Sequence, residues 1–232
     1  MPLGKSSFYK LVPSCLPSDN FRFGIAIQVS DRAERQLHIG ILFRGSDDAL
    51  QIGDVANHYW SRILPARADG RYVWLEADLD YTTALILAAR TEALLRDNEG
   101  KIPYSVASHG RVWKDGIWVG DEPGQGLTCA TFVLSVFTET GLDLLTPEGW
   151  VGRPDDQAWA EKVARAMAEQ PGATEEHLKA QLARIGESIR VRPMDVAVAC
   201  KLSKYSNDEK PLSFTDVAGP SNYWESVLLD PV

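Results

Sequence analysis

Cysteine, histidine and positive charge are all scarce in this 232-residue chain, and each scarcity narrows what it can do. The three cysteines, Cys15, Cys129 and Cys200, lie far apart and form no CxxC pair. That spacing argues against a disulfide framework and against a cysteine-rich zinc site, and no metal or other cofactor is expected. Lys and Arg number 24 against 32 Asp and Glu, a net charge of −8. A nucleic-acid groove or a polybasic membrane contact is therefore not expected. No run of 18 apolar residues occurs, so no membrane span is expected. The first residues, Met-Pro-Leu-Gly-Lys-Ser-Ser, lack the apolar core of a signal peptide. The expected location is the cytoplasm, with export by a signal-independent route left open.

What remains is ordinary globular material, 44% hydrophobic and 24% charged. Its length suits one large domain, or one domain with an appendage. Residues 1–20 read as an irregular arm punctuated by Pro2, Pro13 and Pro17. Alternating and then continuous apolar residues predict a strand over 21–29 and a second over 37–44. The turn signal Gly45-Ser46-Asp47-Asp48 closes the second, and 50–56 reads as its hairpin partner. A third strand follows at 72–76 after a loop from Pro65 to Gly70. Asp78 or Asp80 is a good N-cap for a helix over 81–96.

Residues 101–126 form a long glycine- and tryptophan-rich connection with a small hairpin at 113–118, the kind of segment that often serves as a binding loop. After it come a helix from Cys129 to a C-cap at Gly141, a loop at 147–154, and helices over 155–169 and 174–185. Residues 190–200 read as a strand or a short helix, and 213–229 as irregular with some helix. A soft boundary near residue 150 divides a mixed catalytic part, 1–150, from a helical C-terminal extension, 151–232, expected to pack on the same core.

One stretch organises the functional reading: Gly124-Gln125-Gly126-Leu127-Thr128-Cys129, followed by the apolar run Ala130-Thr131-Phe132-Val133-Leu134. It sets a cysteine at the first turn of a helix, where unpaired N–H groups and the helix dipole stabilise a thiolate. Buried cysteine is usually a small hydrophobe, and Cys200 within Val196-Ala197-Val198-Ala199 fits that description. Cys129 differs because it precedes the apolar run instead of sitting inside it.

A nucleophilic cysteine needs a base, and there are four histidines: His38, His58, His109 and His177. His177, among Glu175, Glu176 and Lys179, reads as a solvated surface residue. His109, in the long loop, could line a cleft but is an ordinary loop histidine. His38 stands within an apolar strand, where both ring nitrogens must find partners. Alone it would be a satisfied core histidine; with Cys129 in the chain a general base is the better reading. A base also needs an acceptor to fix its tautomer. If the hairpin turns at Ser46–Asp47, the region opposite His38 falls near residues 54–56, so Asp54 is the natural partner. Its competing role is to cap the following turn, and Gln51, Asn57 and His58 are reserves. His58 could also bind substrate or pack against Trp60. For the oxyanion the Cys129 N–H is one donor. Gln125 could supply the other from its side chain, or be a plain loop glutamine.

The motifs His38-Ile39-Gly40-Ile41-Leu42-Phe43 and Thr128-Cys129-Ala130-Thr131-Phe132-Val133, with Asp54 between them, resemble the circularly permuted papain-like proteins. This group comprises lecithin:retinol acyltransferase-like proteins and permuted NlpC-type peptidases, in which the histidine precedes the cysteine. The resemblance covers about residues 21–145. It implies an α+β fold with an antiparallel sheet against the cysteine-bearing helix, and thiol-dependent cleavage or transfer of an acyl or amide group. The chain departs from the acyltransferase branch, which commonly has a second histidine where Asp54 stands and Asn-Cys-Glu where Thr128-Cys129-Ala130 stands, together with a membrane anchor. The leading expectation is a cysteine peptidase or amidase using Cys129, His38 and Asp54 on an unidentified peptide or amide. Acyl transfer or thioester hydrolysis is the second, and a non-catalytic binding module the third.

Overall fold

A computed structural model describes residues 8–106, 112–146, 148–187, 189–203 and 210–230. In chain order the elements are β1 (Tyr9–Lys10), β2 (Phe23–Asp31), β3 (Gln36–Arg44), β4 (Leu50–Asn57), β5 (Trp60–Pro65), β6 (Tyr72–Glu76), α1 (Tyr81–Asp97), β7 (Trp113–Lys114), β8 (Ile117–Trp118), α2 (Cys129–Glu139), α3 (Asp156–Ala168), α4 (Glu175–Ala183), α5 (Pro193–Leu202) and α6 (Phe214–Leu229). Six strands form one sheet in the order β1-β6-β2-β3-β4-β5, antiparallel throughout, and β7 and β8 make a separate small hairpin. The fold is α+β.

Side-chain alternation divides the sheet. Phe23, Ile25 and Ile27 of β2, Ile39, Ile41 and Phe43 of β3, and Val55 of β4 point to one face. There they share a core with Leu87 of α1, Phe132, Val133 and Val136 of α2, and Met194 to Cys200 of α5. Full burial of such side chains stabilises by about 1.5–3 kcal/mol each. The opposite face carries a smaller cluster, Ala26, Leu42, Ile52 and Trp74, covered by Leu11 and Phe21 of the N-terminal arm. The C-terminal helices join the main core instead of forming one of their own. Ion pairs also run from Lys162 to Glu34 and from Asp230 to Arg35, both in the exposed turn between β2 and β3.

Several segments differ from the sequence reading. Strand β5 was not expected. It lies at the sheet edge and ends in Pro65, at a position whose missing N–H faces away from β4 and costs no ladder bond. Part of the arm pairs as β1. Residues 193–202 take the second of the two forms expected there, a helix: Pro193 occupies the first turn, and Asp195 accepts the Arg192 N–H at 2.9 Å. Because α5 is apolar on all sides, it shows no helical period in sequence. Helix α6 runs unbroken through Gly219-Pro220, a pair that normally ends a helix. Burial of Val217, Trp224 and Leu229 offsets that cost.

Candidate active site

Thr128 is the N-cap of α2, its hydroxyl accepting the Thr131 N–H at 3.1 Å while Thr131 Oγ1 accepts the Thr128 N–H at 2.8 Å. This reciprocal cap makes Cys129 the first helical residue, whose N–H has no partner within the helix. The preceding loop is fixed by its contact with residues 103–105. Leu127 N–H donates to Pro103 O at 2.9 Å, and Ser105 Oγ donates to Gly124 O at 2.6 Å. A Cβ at Gly126 would lie 2.4 Å from Pro103 O, so only glycine permits this approach. The consequence is that Tyr104 is brought against Cys129.

Beneath the thiol, β3 and β4 part. Their pairing ends at Ile41–Gly53, although β3 runs back to Gln36 beside β2 and β4 runs on to Asn57 beside β5. The Cys129 sulfur interacts there with the Ile39 N–H and with the His38 side chain. His38 Nε2 bonds Asp54 Oδ2 at 2.9 Å, leaving Nδ1 as the nitrogen toward the thiol. Continuing the register sets Asp54 opposite Gly40, and a Cβ at Gly40 would lie 3.2 Å from Asp54 Cβ and 3.0 Å from Gly53 O. The missing side chain at Gly40 is thus the space in which Asp54 crosses toward His38.

Asp54 is fully buried and accepts two further bonds from Arg62 on β5, from Nε at 2.8 Å and Nη2 at 3.1 Å. Trp60 stacks on that guanidinium, 4.9 Å from ring centroid to Cζ. The order is therefore Arg62, Asp54, His38, Cys129.

The electrostatics follow from these contacts. Burial disfavours the Asp54 carboxylate, but bonds from His38 and Arg62 outweigh it and lower its pKa. Burial likewise opposes the His38 imidazolium, yet the Cys129 charge and the bond to Asp54 hold its pKa up to about 10. Burial raises the Cys129 thiol, and the His38 charge and hydrogen bond more than offset it, so the net direction is down. The thiolate and the imidazolium thus favour one another across the Cys129–His38 contact.

Tyr104 is the residue that sequence reading missed. Its hydroxyl meets both the backbone and the sulfur of Cys129, and burial first, then the thiolate charge, push its pKa well above 10, so it stays a donor. Its own peptide is clamped. His58 Nδ1 accepts the Tyr104 N–H at 3.2 Å, and His177 Nε2 donates to the Tyr104 carbonyl at 3.1 Å. His177 Nδ1 also accepts the Gly124 N–H at 3.2 Å. His177 is therefore not a solvated surface group, and His58 supports Tyr104 without lining the cleft at Cys129.

The remaining candidates lie elsewhere. Gln125 does not line that cleft either, its Oε1 accepting the Glu122 N–H at 3.4 Å. Asn57 Oδ1 accepts the His58 N–H, and Gln51 sits by the Asp47 turn, so neither reaches His38. Cys200 is fully buried, Cys15 is exposed, and His109 lies outside the described residues.

A cleft of about 160 Å³ opens over Cys129 and His38. Its far wall comes from the C-terminal part: Trp159, Arg190, Arg192 and Glu225. A second cleft, about 270 Å³, adjoins it across Gln36, Ala56, Tyr104 and Trp159, and is flanked by Val163 and Met167 of α3. Among the described residues no group of acidic, histidine or cysteine side chains could hold a metal ion, and no helix is long and apolar enough to cross a membrane. Compared with protein-family profiles, curated proteins and solved structures, the chain matches none.

Proposed function

We propose that the protein is a cysteine hydrolase of amide or peptide bonds, arranged as in the permuted papain-like proteins. The observation that carries this reading is the contact between the Cys129 thiol at a helix N-terminus and a His38 ring whose other nitrogen is held by buried Asp54. The Cys129 thiolate attacks the carbonyl carbon, and the carbonyl electron pair moves to oxygen. The Cys129 N–H and the Tyr104 hydroxyl stabilise that oxyanion. His38 gives its proton to the departing nitrogen as the C–N bond breaks, leaving a thioester. His38 then takes a proton from water, the hydroxide attacks the thioester, and the protonated imidazole and free thiolate are restored. Asp54 keeps the ring in the tautomer that presents Nδ1 to sulfur.

Acyl transfer from long chains would need a wide apolar cleft, whereas the cleft at Cys129 is small and lined by arginines. This favours hydrolysis of a polar amide. The test is incubation with an activated acyl ester, followed by mass spectrometry of the intact chain and of the Cys129 peptide. A stoichiometric thioester on Cys129, absent from Cys129→Ala and His38→Ala, is expected. A folded wild type that forms no adduct, or an adduct that persists in His38→Ala at the same rate, would contradict the mechanism.

A further inference from the structure

The charge lining the cleft runs against the charge of the whole. In a chain of net charge −8, the ionisable side chains around the Cys129 opening among the described residues, apart from the Cys129–His38 pair, are Arg35, Arg190 and Arg192 against one carboxylate, Glu225. Burial also raises the pKa of Glu225, which disfavours its charged form.

Arg190 is the best placed of the three arginines. Its guanidinium lies 3.8 Å from the centroid of Trp159, and Nη1 bonds Asp156 at 3.0 Å, so its orientation is set before any ligand arrives. Its charge is felt at the Tyr104 hydroxyl, beside the reacting sulfur. Asp155 and Asp156 hold Arg192 and Arg190 but do not themselves line the cleft. Arg35 reaches the rim and pairs with Asp230, both mostly exposed. Burial, and then the like charge of Arg192, disfavour the cation at Arg190. The charge of an incoming anion would offset both.

Resting on the hydrolase reading, we propose that this cleft selects amides that carry a carboxylate close to the scissile bond, with Arg190 as its principal partner and Arg192 and Arg35 adding charge. A planar carboxylate matches the guanidinium fork. The adjoining cleft beside Val163 and Met167 would take the apolar remainder of such a substrate.

Iodoacetate and iodoacetamide test this without requiring turnover. They differ in little but a carboxylate in place of an amide, and in each the thiolate attacks the methylene carbon and displaces iodide. Exposed Cys15 reports the intrinsic ratio of the two rates within the same molecule. Low-dielectric clefts lined by one sign of charge raise local concentrations of the opposite ion by tenfold or more. The iodoacetate to iodoacetamide ratio at Cys129 should therefore exceed that at Cys15 by about tenfold, and fall with salt.

Arg190→Gln should bring the ratio at least threefold down, while His38, also cationic, is unchanged. If that variant fails to fold by circular dichroism, Arg35→Gln on the exposed rim should lower the ratio by about twofold. A wild-type Cys129 ratio equal to that of Cys15, or one that ignores both substitutions, overturns the carboxylate assignment. A Cys129 that reacts no faster than Cys15 with either reagent instead overturns the nucleophile reading, and the substrate assignment with it.

Discussion

Asp54→Asn is expected to be costlier here than its near-identical shape implies, and Arg62 is the reason. The buried carboxylate accepts three N–H groups, from His38 Nε2 at 2.9 Å and from Arg62 Nε and Nη2 at 2.8 and 3.1 Å. An asparagine offers one acceptor oxygen and turns two N–H donors toward the remaining donors. Removing one partner of a buried pair costs about 3–5 kcal/mol. Arg62 keeps 21% of its side chain in solvent, which sets the expectation near the lower end, about 3 kcal/mol. Arg62→Met strands the carboxylate with only His38, again about 3 kcal/mol. The double variant buries neither charge. It should recover at least ~1.5 kcal/mol relative to the sum of the two.

Urea unfolding followed by tryptophan fluorescence measures all four corners of this cycle, and loss of the Trp60 contact cancels between its two arms. The wild type should also lose stability as pH falls. Asp54 has a folded pKa below its unfolded 3.8, so its contribution is present above that value and disappears as pH drops through the folded one. That acid limb should be reduced in Asp54→Asn. Additivity within about 0.5 kcal/mol would refute the linkage of Arg62 to Asp54.

Two further substitutions probe other parts of the site. Tyr104→Phe removes a hydroxyl and little else, so turnover of an amide or activated ester should fall by about 10²-fold, as when one oxyanion donor is lost, while alkylation of Cys129 changes far less; equal losses in the two assays would make Tyr104 structural only. Gly40→Ala puts a Cβ 3.0 Å from Gly53 O and 3.2 Å from Asp54 Cβ, which should cost about 1–3 kcal/mol. The displaced Asp54 should weaken His38, seen as a higher pH for thiolate formation at Cys129. An unaltered thiolate titration would show that Gly40 serves sheet packing alone.

What could be read in sequence was whatever rests on local pattern. The strands at 21–29, 37–44 and 50–56, the turn between the last two, and the placing of Cys129 at a helix start sufficed to bring His38, Asp54 and Cys129 into one neighbourhood. The parts that escaped depend on long-range contacts. Tyr104 becomes part of the site only because His58, after β4, and His177 and Gln181, both on α4, grip the peptides on either side of it. His177 looked solvated because Glu175, Glu176 and Lys179 surround it in sequence, yet α4 turns it inward to Gly124. Arg62 lies on an edge strand whose pattern, Trp-Ser-Arg-Ile-Leu-Pro, does not alternate. The C-terminal third gave no motif, because its contribution is a wall: Trp159, Arg190 and Arg192 close the cleft from the side opposite His38.

The central claim, that Cys129 and His38 form a thiolate–imidazolium pair, is tested most directly by the pH dependence of Cys129 alkylation in the wild type and in His38→Ala. Mass spectrometry would follow iodoacetamide uptake, with exposed Cys15 as the internal reference. In the wild type the thiolate should form with a midpoint below the ordinary 9.0, and a second change should appear near pH 10 as His38 loses its proton. In His38→Ala only the Ile39 N–H is left to set against the burial of Cys129, so its midpoint should rise relative to the wild type and the change near 10 should vanish. Coincident profiles for the two proteins, both tracking Cys15, would contradict the account.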